Sequence, residues 1–294
     1  MYNRKEFLKR SGGAALGLML GSTLNAACNT SPREKVNGSI KALGIQLYSL
    51  RDDLPKDPKG ILKQLAAFGY KEIESYEGAQ GMFWGMGHKG FKSYVDGLGM
   101  KIVSSHCDFR ADFERKAAEA AEIGMSYLIC PYVGPQKNLD DYRKLADEFN
   151  KAGEICKKNG IRFAYHNHDY SFRQQDGQYP QDIFMQHTDQ SVMDYEMDIY
   201  WVVTAGQDPI AWLKKYNGRF KLCHVKDRKK GAVPQKGEPN LSVIVGTGSI
   251  DFKTILAAAR TEGMQHYILE QEAYEKAPLE CVKEGAAYLN KLVF

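Results

Sequence analysis

The sequence predicts an α/β chain folded as one (β/α)8 barrel behind an N-terminal export segment. Three observations carry that prediction. Short apolar runs alternate with amphipathic stretches eight times between Leu43 and the C-terminus. A glycine closes most of those stretches just before the next run. Polar and ionisable residues gather at the C-terminal ends of the runs. Strands alternating with helices imply a parallel sheet, and eight units in about 250 residues match a closed barrel in count and size. No G-x-G-x-x-G follows the first strand, which removes the usual reason to choose an open doubly wound sheet.

The strands are expected to start near Leu43, Tyr70, Lys101, Tyr127, Ile161, Val192, Phe220 and Tyr267. Gly69, Gly99, Gly124, Gly160, Gly218 and Gly263 stand just before six of them, where a left-handed residue closes the preceding helix. Helices are clearest at Pro58–Phe68, Phe113–Ile123, Leu139–Lys158, Phe252–Glu262 and Pro278–Leu292. In the third of these, Leu145, Phe149, Ala152 and Cys156 recur at helical spacing. Met86-Gly87-His88 and Gln186-His187 read as surface features.

Hydrophobic residues make up 43% of the 294 and charged ones 26%, the balance of an ordinary globular protein. The net charge is +4, and Arg4, Lys5, Lys9 and Arg10 against Glu6 supply +3 of it. The remainder is near +1 (4 − 3), so no basic field for nucleic acid exists. The six cysteines show no C-x-x-C spacing and read as free thiols, five of them buried.

Residues 1–28 read as an export signal: basic residues, an apolar run from Gly12 to Leu20, then small residues. Asn3-Arg4-Lys5-Glu6-Phe7-Leu8-Lys9 is similar to a twin-arginine motif. Leu24-Asn25-Ala26-Ala27-Cys28 is similar to a lipoprotein cleavage box, so a lipid on Cys28 would be the chain's link to a membrane. Residues 29–41 form a polar linker, and the barrel occupies 42–294. The expected location is the periplasm or a membrane-anchored lipoprotein.

The site is sought where barrel chemistry sits, at the C-terminal ends of the strands. Strand 5, Ile161 to Phe172, places Ala164, His166 and His168 on one face. Strand 1 ends in Gln46, Tyr48 and Arg51, strand 2 offers Glu74 and Tyr76, and strand 3 ends at His106. Strand 6 ends at Asp198 with Trp201 beyond, strand 7 at His224-Val225-Lys226-Asp227, and strand 8 at Glu270. Asp198 also reads as a cap for a following helix. Asp198, His224 and Glu270 form a ligand set for a divalent metal. Two carboxylates and an imidazole suit Mn, Mg, Co, Fe or Zn. The segment Lys226–Lys236, followed by Val245-Gly246-Thr247-Gly248, reads as a loop over the site.

Gly44-Ile45-Gln46-Leu47-Tyr48-Ser49, Tyr165-His166-Asn167-His168, Asp198 with Trp201, His224-Val225-Lys226-Asp227, Gly246-Thr247-Gly248-Ser249-Ile250-Asp251-Phe252 and Glu270-Gln271 together resemble the xylose isomerase-like TIM barrels. The branch they resemble is that of sugar phosphate isomerases/epimerases and inosose dehydratases, over roughly residues 42–294. The resemblance implies a divalent metal on Asp198, His224 and Glu270, and proton transfer next to a carbonyl or hydroxyl that the metal holds. Many epimerases of the family carry a glutamate on strand 5, where this chain has Ala164. His166 and His168 are then candidates for ligand, acid or base.

The expected function is a metal-dependent sugar isomerase or epimerase working through an enediolate. Dehydration, or elimination from a keto-glycoside, would use the same intermediate. Glu270 or His166 takes the proton, with Lys226 beside them. Gln46, Tyr48, Arg51, His106, His168, Trp201 and Lys226 are expected to hold the sugar, keto-sugar or cyclitol, and Tyr48, Trp201 and Phe172 offer it flat surfaces. Export favours free sugars or glycosides over phosphosugars. A carbohydrate-binding barrel without catalysis is the rival reading. An abasic-site nuclease conflicts with the near-neutral mature charge.

Overall fold

The computed structural model describes residues 38–233 and 240–294. The export segment, Cys28 and most of the linker lie outside the described residues. Eight parallel strands close into a barrel: β1 (Leu43–Gln46), β2 (Glu72–Tyr76), β3 (Lys101–His106), β4 (Tyr127–Cys130), β5 (Arg162–His166), β6 (Met193–Asp198), β7 (Phe220–Val225) and β8 (His266–Leu269). Neighbours in sequence are neighbours in the wall, and β8 closes onto β1. Four strands start at the residue read from the sequence, and the rest within two.

Between and after the strands run α1 (Pro58–Ala67), α2 (Gly87–Gly97), α3 (Phe113–Glu122), α4 (Leu139–Lys158), α5 (Pro180–His187), α6 (Ile199–Thr204), α7 (Pro209–Lys215), α8 (Phe252–Thr261) and α9 (Pro278–Leu289). Local chemistry sets their ends. Asp57, Asn138, Asp208 and Asp251 cap α1, α4, α7 and α8 through their side chains. Gly160, at φ 78, turns the chain from α4 into β5.

Alternation along each strand separates two cores. Outward residues such as Ile45, Leu128, Phe163, Met197 and Leu269 are buried under the helices. Inside the barrel, Tyr127, Ile129, Ala164, Leu222 and Ile268 form a separate apolar plug. Gly44 lies beside it because a Cβ there would stand 2.9 Å from Ile268 Cγ1. One step further toward the C-terminal mouth, the inward positions turn polar: Gln46, Glu74, Ser104, His106, His166, Glu196, His224 and Glu270 are all buried.

The five described cysteines are free and buried, as expected. The segment after Lys226 is more ordered than a plain loop. Asp227–Arg228 pairs antiparallel with Ser242–Val243.

Candidate metal centre and cavity

Strand ends β5 to β8 deliver four side chains to one point. His166 and Asp198 end their strands, His224 is the penultimate residue of β7, and Glu270 follows β8 directly. All four are buried, and one donor atom from each lies within 4.8 Å of the others. His166 Nε2 is 3.1 Å from His224 Nδ1 and 3.4 Å from Asp198 Oδ2. Glu270 Oε2 is 3.1 Å from His224 Nδ1.

Asp198 divides its two oxygens between structure and site. Oδ1 accepts from Trp201 N at 3.1 Å and caps α6. Oδ2 is buried with no hydrogen-bond partner. Asn167 fixes the residue from behind: its amide oxygen accepts from Asp198 N and its amide nitrogen donates to Asp198 O. An orphaned buried acceptor is costly unless something fills its place. Two ring nitrogens and two carboxylates facing one another, with no thiolate, fit a divalent cation such as Mn, Co, Fe or Zn. Burial would raise the carboxyl pKa values of Asp198 and Glu270, but the Lys226 ammonium and the imidazoles hold both below the usual carboxylate range.

A second layer lies behind this set. Glu74 accepts from Gln46 Nε2 at 2.7 Å, Ser104 Oγ at 2.6 Å and His224 Nε2 at 2.7 Å. His106 Nε2 lies 2.8 Å from Glu196 Oε2 and 3.2 Å from Glu74 Oε1. Burial would lower the His106 pKa, but the two carboxylates lift it to about 9. Burial, and then Glu74, raise the Glu196 carboxyl.

Above the four donors opens a cavity of about 680 Å³, reached by His106, His166, His168, Trp201 and Glu270. Residues 62–292 match the family described as xylose isomerase-like TIM barrel. The chain belongs to that family. An inosose dehydratase from Clostridium perfringens is 28% identical over 167 residues, 52% of this chain and 56% of its own length. The chain thus spans little more than half of that relative. An inosose dehydratase from Lacticaseibacillus casei is 26% identical over 254 residues, 80% of this chain and 81% of its own. A solved sugar phosphate isomerase/epimerase from Parabacteroides distasonis is 30% identical with a TM-score of 0.73, covering 89% of this chain and 97% of its own.

Within this family barrel, the expected triad of Asp198, His224 and Glu270 comes together, and His166 joins it as a fourth donor. Ala164 faces inward as expected but lies one step deeper, in the apolar plug. Of the residues expected to hold substrate, Tyr48, His106, His168 and Trp201 line the cavity. Gln46 does not: it holds Glu74 and accepts from Tyr48 N. Arg51 sits at the rim over the Tyr48 ring and donates to Glu272 O. Phe172 is fully buried against Trp212 and offers no surface to a sugar.

Lys226 is also fully buried. Its ammonium bonds Glu270 at 3.1 Å and Glu272, and lies 5.1 Å from the centre of the Trp201 ring. Burial would lower its pKa, but Glu270, Glu272 and Asp198 raise it, so it stays a cation. His168 goes the other way: burial, then His166 and Lys226, push it well below the ordinary imidazole value. Next along the chain, Asp227 ties down the Gly246–Ile250 turn. Oδ2 accepts from Gly246 N and Gly248 N, and Oδ1 from Arg228 N and Ile250 N. Gly248 is required there because a Cβ would stand 2.2 Å from Asp227 Oδ1.

Glu74 stands at the site end of its strand as read from the sequence, but behind His224 and off the cavity lining. Glu196 and Asn167 are the residues missed as site members, and parity along β6 is the signal that would have found Glu196. Glu196 lies two residues before Asp198 on the same face.

Proposed function

We propose that the chain is a divalent-metal-dependent enzyme that moves a proton beside a carbonyl of a sugar, keto-sugar or cyclitol. The observation that carries this reading is the meeting of His166, Asp198, His224 and Glu270 under the cavity, with Asp198 Oδ2 buried among them without a hydrogen bond. A divalent cation held by these four would supply Lewis-acid polarisation of a substrate oxygen. The chain's own groups do the rest. Glu270 and His166 both hold the centre and line the cavity, so each is in place to take or return a proton. Lys226 keeps Glu270 ionised and fixes its orientation. Trp201 lines the cavity beside the donors and offers the reacting ring a flat face.

Two outcomes follow from one abstraction. Reprotonation at carbon gives an isomer or epimer, and loss of a β-oxygen gives a dehydrated product. The isomerase/epimerase described for the Parabacteroides distasonis structure favours the first, and the relatives named inosose dehydratase favour the second. The export pattern of residues 1–28 favours unphosphorylated substrates in either case.

The test is metal analysis of the purified chain, followed by incubation with inosose and 3-keto-glycosides in deuterated water. Deuterium incorporation or a dehydrated product that depends on added Mn or Co is the expected result. A chain that binds sugars, holds no divalent metal and exchanges no proton is a carbohydrate-binding barrel instead.

A further inference from the structure

The four donors come from β5 to β8, but the cavity does not sit centrally over them. Ten of its fifteen lining residues belong to β1 to β4, the segments that follow those strands, and α3, which supplies Lys116; His166, His168, Trp201, Glu270 and Glu272 are the other five. Most of the space therefore lies across the barrel mouth from the candidate metal. Its volume, about 680 Å³, lies in the range, roughly 300–1,000 Å³, of sites that enclose drug-sized ligands. A lone sugar ring at the donors leaves the far side empty.

That far side has its own recognition surface. Among the described residues, the exposed large hydrophobic side chains are Tyr48 (38%), Tyr132 (57%), Val233 and Val293. Both tyrosines border the cavity. The Tyr132 ring is 5.0 Å from His168, which is itself 5.0 Å from the donor His166. Tyr132 is thus two ring contacts out from the metal centre, beyond the place of a reacting ring. Tyr48 is braced edge-on by Tyr76 at 5.2 Å. Exposed, braced aromatic faces are suited to stacking on the apolar face of a sugar, with the phenol left to bond hydroxyls.

Elsewhere the same lining is polar and preorganised. Lys116 is only 3% exposed, and its ammonium donates to Glu77 Oε2 at 2.7 Å and to Asp108 O at 2.9 Å. Glu77 Oε2 also accepts from Asp108 N. Carboxylates fixed this way accept from neutral hydroxyls. Glu77, Asp108 and Glu272 on the lining outnumber Lys116, whose charge Glu77 already meets, so the distal part of the cavity disfavours a phosphate or carboxylate.

We propose that the substrate has two rings: a neutral glycoside or disaccharide, with the reacting ring at the donors and the second ring stacked on Tyr132. This rests on the sugar-directed reading above and narrows it.

Binding, not turnover, tests it, so its failure is distinguishable from failure of the proposed reaction. The full chain, with Mn present, is titrated calorimetrically with glucose, cellobiose and maltose, in wild type and in Tyr132→Ala. At least one disaccharide is expected to bind roughly tenfold more tightly than glucose, and Tyr132→Ala to cut that ratio to near unity. Because Tyr132 is exposed, the variant should keep its melting temperature, which is measured alongside. Neither disaccharide binding better than glucose, or a ratio that Tyr132→Ala leaves intact, overturns the proposal. Absence of turnover with any keto-sugar would overturn the catalytic reading and leave this one standing.

Discussion

Glu74 Oε1 lies 2.7 Å from His224 Nε2, and that bond decides which face of the imidazole meets the donor set. With Nε2–H donated to the carboxylate, the Nδ1 lone pair points toward His166, Asp198 and Glu270. Carboxylates behind a ligating histidine fix its tautomer and raise its basicity. Glu74→Gln should therefore keep the barrel but weaken metal binding by about 10- to 100-fold. Competition titration with a chromogenic chelator measures this directly. Metal affinity equal to wild type would show that Glu74 is a fold residue alone.

On the sequence His166 is a candidate ligand, acid or base. Its Nε2, 3.1 Å from His224 Nδ1 and 3.4 Å from Asp198 Oδ2, stands with the candidate donors. His166→Ala should then lose metal affinity by at least about tenfold, as Asp198→Ala and Glu270→Ala should, because each removes one of few ligands. Bound metal and turnover are measured on the same preparation. Full metal content with turnover down at least about 100-fold would return His166 to a purely acid–base role.

Strand ends were legible because a buried parallel strand is a near-continuous apolar run, and a histidine or carboxylate at its end interrupts that run visibly. His224 in Leu222-Cys223-His224-Val225 and Glu270 after Ile268-Leu269 are of this kind. The layer beneath was harder to read for a local reason. The pairing register slips by one residue just before Glu74 and again just before Glu196, at Val103 and Lys221 respectively. Those extra residues stand in β3 and β7, so alternation holds along β2 and β6, and what the slips obscure is which residue of the next strand each glutamate meets. Helix α2 was missed because Gly87, Gly90 and Gly97 weaken its propensity. Six-residue α6 was legible only through its cap, Asp198, because it starts directly from β6 with no intervening turn signal.

The turn at Gly246–Ile250 depends on one side chain. Asp227 is 1% exposed and accepts four backbone N–H bonds, at 2.8 to 3.2 Å. Asp227→Ala strands those donors and should destabilise the barrel by about 3 kcal/mol, lowering the melting temperature by roughly 6–12 °C for a chain of this size. Asp227→Asn, which keeps one of the two acceptor oxygens, should cost less. Thermal unfolding of both variants measures the difference. Equal small losses would mean that other contacts hold the turn.

The last prediction concerns the metal-free protein in alkaline solution. His106 is buried between Glu74 and Glu196, which outweigh the effect of burial and hold its pKa near 9, against an ordinary value of 6.5. The folded state therefore binds this proton more tightly than the unfolded state does. That contribution is complete below pH 6.5 and is lost as pH rises toward 9, since there the folded chain must give up a proton the unfolded chain has already released. Its size is on the order of 2–3 kcal/mol. Glu74, held below the usual carboxylate range despite burial, chiefly by His106, works in the opposite direction: its contribution is present at neutral pH and fades only in acid. Chelator-treated protein should thus melt several degrees lower at pH 9 than at pH 6.5, and His106→Asn should flatten that slope while lowering the whole curve. A melting temperature in wild type that stays level between pH 6.5 and 9 would sink the claim that His106 is a buried imidazolium paired to two carboxylates.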